Sequence, residues 1–360
     1  KYKKSKYFPY FLWKILVVIY MGHEIDLKRY DIRTDLVIDT IDNNDDNIDT
    51  LVEVQGDIKI TKVTVDDNVS RIIGKKKGRY ITIEFDDVTD TDNKNKVEDI
   101  FTLELNDIFD ISKVNSVLII GLGNRDSTPD SLGPKVVDDI VVTRHLFLLG
   151  EDVSDGVKCT SSFSPGVMGN NGIETFDIIS LLCKDIKPDL VIIVDALAAS
   201  NIGRVNKCIQ ITDSGIHPGS GVGNMRKEIS FDTLGVPTIA IGIPTVVESS
   251  IIVYDTMNYL FKHISYIKNN ANMNKLIVNR YNYKNKIDCS DLSYDEKRNF
   301  AGLFGTLSDS DKKSLINEVL NGLDYNFIVT PKEVDFQIDR LSSVISSGIN
   351  GYIHGTKVSN

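Results

Sequence analysis

The side chains of this chain best suited to chemistry are acidic. Asp126 and Asp130 lie in GLGNRDSTPDSLGP, Asp195 in VDALAAS, and Asp213 with His217 in TDSGIHPGSGVGN. Two carboxylates held close together cannot both ionise easily, so they share a proton. The ionised member can take a proton from water; the protonated member can polarise a carbonyl and later protonate a leaving amine. That chemistry hydrolyses a peptide bond, and Asp130 and Asp195 are the candidate pair. Other readings stand beside it. Each aspartate could simply cap the turn in which it sits. The two could also join His217 as ligands of a metal ion with an open position for water. His217 could equally be a hydrogen-bonded loop histidine before Pro218.

Further chemistries fit less well. Gly121-Leu122-Gly123 follows an apolar run, as in a dinucleotide site, but Asp126 stands where the third glycine belongs, and an acid there would repel a pyrophosphate. Residues 215–223 are glycine-rich without the Gly-Lys-Ser/Thr ending of a phosphate loop, so these glycines serve tight turns. No G-x-S-x-G elbow and no H-E-x-x-H helix is present. The cysteines, Cys159, Cys183, Cys208 and Cys289, form no C-x-x-C pair and match no zinc spacing. They read as free thiols in a reducing compartment.

In a parallel α/β sheet, functional groups gather beyond the carboxyl ends of the strands. Residues 117–120 and 190–194 are continuous apolar runs suited to strands buried on both faces. Residues 207–211 and 236–243 read as further strands; residues 132–149, 173–186 and 246–264 have helical spacing. The alternation predicts an α/β fold, a mainly parallel sheet flanked by helices. It also predicts that Asp126, Asp130, Asp195, Asp213, His217 and the pair Pro244-Thr245 share one edge of that sheet. Ahead of this core, about residues 36–115 read as a β-rich subdomain. There residues 57–65 and 79–85 alternate polar and apolar, with a turn at 74–78 between them and a helix over 98–109. Residues 42–49 and 86–95 read as exposed acidic loops. After a polar, Asn-rich stretch over 268–285, two helices over 308–323 and 331–347 close the chain.

The chain has 360 residues, a net charge of -10 and an isoelectric point near 5.1. No broad basic field exists, so direct nucleic-acid binding is not expected. Residues 1–6 are basic and 8–21 largely apolar, which resembles the start of a signal peptide. Pro9 and Lys14 interrupt the run, which is short for a span of ~20 residues. No small-x-small site follows, so residues 1–20 read as an upstream extension, with Met21 as the natural start and no membrane anchor.

The segments IDLKRYDIRTDL, GLGNRDSTPDSLGP, SPGVMGNNGIET, PDLVIIVDALAA, ITDSGIHPGSGVGNMRKEIS, TLGVPTIAIGIPTVV and VTPKEVD, in this order, resemble those of the germination protease family. The resemblance covers nearly everything from Ile25 to about His354. It implies a cytoplasmic, spore-core endopeptidase of atypical aspartic type that degrades small acid-soluble proteins coating spore DNA. It implies a homotetramer made as a zymogen, with Asp130 and Asp195 at the positions the family assigns to catalysis and no obligatory cofactor. Its sheet is expected to be similar to that of hydrogenase maturation proteases, which keeps a metal-dependent peptidase of Asp130, Asp195 and His217 as an alternative; a non-enzymatic module that binds spore proteins is another. Family substrates are cut after an acidic and before a large apolar residue. RTDLVID carries that pattern, with Val37 larger than the usual alanine, which implies self-cleavage between Asp35 and Leu36. The expected organisation is a prosegment over 21–35 and a protease body over 36–360, with its α/β core at about 116–268 and C-terminal helices at about 290–354. Arg226 and Lys227 are candidate readers of the substrate's acidic side chain, or a solvated surface pair.

Overall fold

A computed structural model describes residues 34–41, 48–219, 226–269, 292–321 and 327–355. The expectations for residues 1–20, for most of the prosegment, for the acidic loop at 42–47, for the stretch 270–285 and for Cys289 lie outside the described residues.

Among the described residues, nine strands form one sheet. In chain order they are β1 (Thr50–Gln55), β2 (Ile58–Val65), β3 (Gly78–Glu84), β4 (Ser116–Gly121), β5 (Cys159–Phe163), β6 (Leu190–Ala199), β7 (Cys208–Thr212), β8 (Thr238–Glu248) and β9 (Ile328–Val329). The spatial order is β1-β2-β3-β7-β8-β6-β4-β5, with β9 added to β8. The strands β5, β4, β6 and β8 pair in parallel. All other pairings are antiparallel. The α/β class holds, with the sheet mixed. Its β-rich N-terminal part joins the same sheet through the β3–β7 pairing.

Among the described residues, the helices longer than four residues are α1 (Asp67–Ile73), α2 (Thr91–Ile108), α3 (Leu132–Asp138), α4 (Arg144–Leu149), α5 (Thr175–Ile186), α6 (Ser249–Asn269), α7 (Tyr294–Ala301), α8 (Asp309–Asn321) and α9 (Val334–His354). Several differ from the sequence reading for local reasons. The segment between β2 and β3 carries α1 as well as a turn, because Asp66 caps the N–H groups of Asn68 and Val69 and Gly74 closes the helix in left-handed conformation. Helix α2 begins within the supposed acidic loop, where the Asp90 side chain caps its first turn. The continuous helical spacing over 132–149 breaks into α3 and α4.

Period-two alternation sorts the central strands onto two cores. Val117 and Ile119 of β4, with Leu190, Ile192 and Val194 of β6, face one side and pack with α2, α3 and α9. Leu118, Ile120, Val191 and Ile193 face the other and meet Ile179 and Cys183 of α5. Covering both faces removes these strands from water and makes them a rigid platform for whatever lies at their ends. Phe101 of α2 is among the largest fully buried side chains and sits against Gly348 of α9. Phe101→Ala is expected to destabilise the fold by about 3–5 kcal/mol, read as a lowered denaturant midpoint.

Candidate active site

Strand β4 ends at Gly121, and the chain turns at once toward its neighbour: Leu122 N–H donates to the Val194 carbonyl at 2.8 Å. Gly123 follows with φ +113, and a Cβ there would lie 2.1 Å from the Asp130 carbonyl oxygen. Only glycine permits this turn and approach. The loop then closes on itself. Asn124 N–H donates to the Asp130 carbonyl at 3.0 Å and to the Asp130 carboxylate at 2.9 Å. The Thr245 hydroxyl of β8 holds the Pro129 carbonyl at 2.6 Å. Asp130 therefore does not cap α3; its carboxylate is held by the loop that precedes it. Burial pushes its pKa up from 3.8 to about 6, and the Asn124 N–H only moderates the rise.

Asp195 sits differently from the sequence reading. Strand β6 does not stop at Val194 but runs to Ala199, so Asp195 lies within a strand, paired across to Gly242 of β8. Strand β4 has already ended beside Val194, which opens that flank. The side chain is 7 % exposed. Its one hydrogen bond comes from the Ala196 N–H at 2.9 Å. Burial first, then the negative charges of Asp130 and Asp35, hold its pKa well above the usual carboxylate range. Among the described residues no cation pairs with it. Asp195 is thus the more deeply buried of the two acids and holds its proton more firmly than an ordinary aspartate, and both line one space.

That space is a cleft of about 480 Å³ lined by Asp35, Asp130, Asp195, Met168, Arg226 and Leu122, among others. Asp35, the residue that precedes the Leu36 peptide bond, is part of its wall. Asp35 N–H donates to the Ala198 carbonyl at 3.0 Å, and the Asp35 carboxylate accepts from Ala198 N–H at 2.9 Å. Leu36 is fully buried against Leu197, Val205, Val247 and Ile251. The chain beyond is tied to the end of β6: Asp39 accepts from Ser200 N–H at 2.7 Å and pairs with Arg204. A second cavity of about 540 Å³, lined by Lys75, Gln210 and His217, shares Asp35 and Leu197 with the cleft.

The other candidates go elsewhere. Strand β7 runs antiparallel to β8, so its carboxyl end points away from the shared edge. Asp213 there accepts from Arg79, at 2.7 Å from N–H and 3.0 Å from Nε. Asp126 is exposed on the loop before Asp130. His217 lies 3.5 Å from Glu228 and faces the second cavity, not the two aspartates. Among the described residues no three His, Cys, Asp or Glu side chains gather as a metal site would require. Arg226 reaches the cleft, whereas Lys227 pairs with Asp177 on the surface. Cys159, Cys183 and Cys208 are free thiols. Sequence reasoning missed Gln210, which touches the Asp35–Leu36 segment; the signal was an amide in the middle of the otherwise apolar run CIQIT.

Two acids with raised pKa at the open rim of the parallel strands, with Asp35 in the same cleft, have the chemistry that acid–base hydrolysis of a peptide bond requires. The family model for germination proteases matches residues 31–360. The germination protease of Priestia megaterium is 45% identical over 360 residues, spanning 93% of this chain and 96% of that one. That of Bacillus cereus is 44% identical over 354 residues with the same shares. A nickel–iron hydrogenase maturation protease, HycI from Thermococcus kodakarensis, aligns with 39% of this chain and 80% of its own at 22% identity and a TM-score of 0.25, too slight a likeness to carry an argument. The chain belongs to the germination protease family and is a protease of spore germination. Among the described residues no helix is long and apolar enough to cross a membrane.

The folded protein binds the Asp130 proton more tightly than the unfolded chain does. The stability this contributes is complete below about pH 4 and is lost as pH rises through about 6. Asp130→Asn is therefore expected to melt above wild type at pH 7, by roughly 2–4 °C for each kcal/mol regained, and level with it at pH 4. Thermal melts at the two pH values check this.

Proposed function

We propose that this chain is an aspartic-type endopeptidase that cuts small acid-soluble spore proteins after an acidic and before a large apolar residue. It is made as a zymogen and first cuts itself between Asp35 and Leu36. Asp130 takes a proton from water, which attacks the Asp35 carbonyl carbon; Asp195 supplies a proton to the departing Leu36 nitrogen. One observation carries this reading: the two carboxylates with raised pKa line the same cleft as Asp35, the acidic residue directly before the buried Leu36. The leucine side chain is already seated in an apolar pocket, as a large apolar residue after the cut would be. The same reading has the protein act as a homotetramer in the spore core. The acidic net charge favours recognition of the DNA-coating proteins over recognition of DNA itself.

A metal-dependent peptidase would need a further ligand beside the aspartates, and the pairing of His217 with Glu228 does not favour it in that role. Membership of a protease family speaks against a module that only binds and stores.

Purified full-length chain is expected to lose its N-terminal segment, with Leu36 as the new first residue by mass spectrometry. Asp130→Asn and Asp195→Asn should each abolish this. Retained cleavage in either removes that residue from the mechanism, and a chelator-sensitive rate restored by a divalent ion would establish the metal reading instead. Because Asp130 must be ionised to act as base, the rate of self-cleavage should rise as pH increases through about 6. A flat rate from pH 5 to 7.5 would remove Asp130 from the role of base.

A further inference from the structure

The backbone around the Asp35–Leu36 bond is held by specific donors and acceptors. Lys75 Nζ donates to the Thr34 carbonyl at 2.5 Å. Asp35 N–H donates to Ala198. Leu36 N–H, on the nitrogen that would leave, donates to the Thr34 hydroxyl at 3.1 Å. Two contacts come from one side chain, Gln210 of β7. Its Oε1 accepts from Val37 N–H at 2.7 Å, and its Nε2 donates to the Asp35 carbonyl oxygen at 3.3 Å. The short contact sets the orientation of the amide, because a backbone N–H can only meet the oxygen. The Nε2–H is thereby aimed at the carbonyl of the bond that the proposed self-cleavage breaks.

We propose that Gln210 is a catalytic residue of this protease: its carboxamide stabilises the oxyanion that forms on the carbonyl before the scissile bond, and holds the N–H two residues further on to set the register. This rests on the self-cleavage reading above. Gln210 lines the second cavity, Asp130 and Asp195 line the cleft, and Asp35 lines both. Water adds to the Asp35 carbonyl carbon from the aspartate side, giving one proton to Asp130, and the carbonyl oxygen gains charge against Nε2–H. The C–N bond then breaks, Leu36 nitrogen takes the proton of Asp195, and Asp35 leaves as a carboxylic acid. A 3.3 Å resting contact suits a donor placed for the oxyanion rather than for the ground-state carbonyl. With the carbonyl so held, Asp195 need not polarise it and is left to protonate the amine. Both contacts are to backbone, so the same amide would serve any extended substrate whatever its side chains.

A plain structural role, satisfying buried backbone groups of one segment, makes a different prediction. The test is the first-order rate of self-cleavage in full-length protein, with the product identified by mass. Gln210→Met removes donor and acceptor at similar volume and should slow cleavage by about 10²–10³ at every pH. Gln210→Glu keeps the acceptor for Val37. It should be equally slow at pH 7.5 but recover toward wild type as pH falls and its carboxyl regains a donor proton. That recovery, measured relative to wild type at each pH, is a signature a packing role would not produce. It also serves if the methionine variant fails to fold. A glutamate variant whose deficit is constant with pH, or either folded variant cutting within threefold of wild type at pH 7.5, overturns the assignment. If wild type itself does not cut at Asp35–Leu36, the underlying reading fails instead.

Discussion

Asp195 is a carboxyl group built into the interior of a parallel strand, facing the same cleft as another acid, with no cation among the described residues to balance it. Such a placement costs stability, and a fold keeps it only where the surroundings leave no alternative. Strand β6 is covered on both faces and hydrogen-bonded on both edges up to Val194, so its backbone cannot move to expose the side chain. The outcome is an acid that holds its proton at a pH where an ordinary aspartate would not.

The second acid depends on the first through geometry. The end of β4 turns within two residues, at Gly121 and Gly123, and Gly133 of α3 lies close behind; a Cβ at Gly133 would stand 2.7 Å from the Val194 carbonyl. These close approaches press the Asp130 loop against the strand that carries Asp195. Half-buried and held by a single N–H, Asp130 loses its proton nearer neutrality than a surface aspartate. Two environments of different depth thus give two like residues different hold on their protons, which the proposed division into acid and base requires.

The segment over 34–41 is the third part. It crosses the end of β6 as a strap that bends at Asp35 and Val37 and turns over 38–40, fastened by the Asp39–Arg204 pair, the buried Leu36 and the Gln210 amide. For the proposed self-cleavage, this restraint of the Asp35–Leu36 segment removes much of the entropy that a freely diffusing peptide would lose.

The sequence by itself determined a good deal. Apolar runs over 117–120 and 190–194 announced strands buried on two faces, and the acids that follow them drew attention to Asp130 and Asp195, because side-chain period and strand-end position are local properties. The ordered motifs identified the family. Tertiary structure decided the rest. That β7 runs antiparallel, sending Asp213 to Arg79 and His217 to Glu228, depends on pairing between distant segments, which no local pattern encodes. That β6 continues past Asp195 depends on β8 lying beside it to accept the pairing. The shifted pKa values arise from burial and from charges far apart in the chain, so composition and spacing could name the two aspartates but not assign their protons.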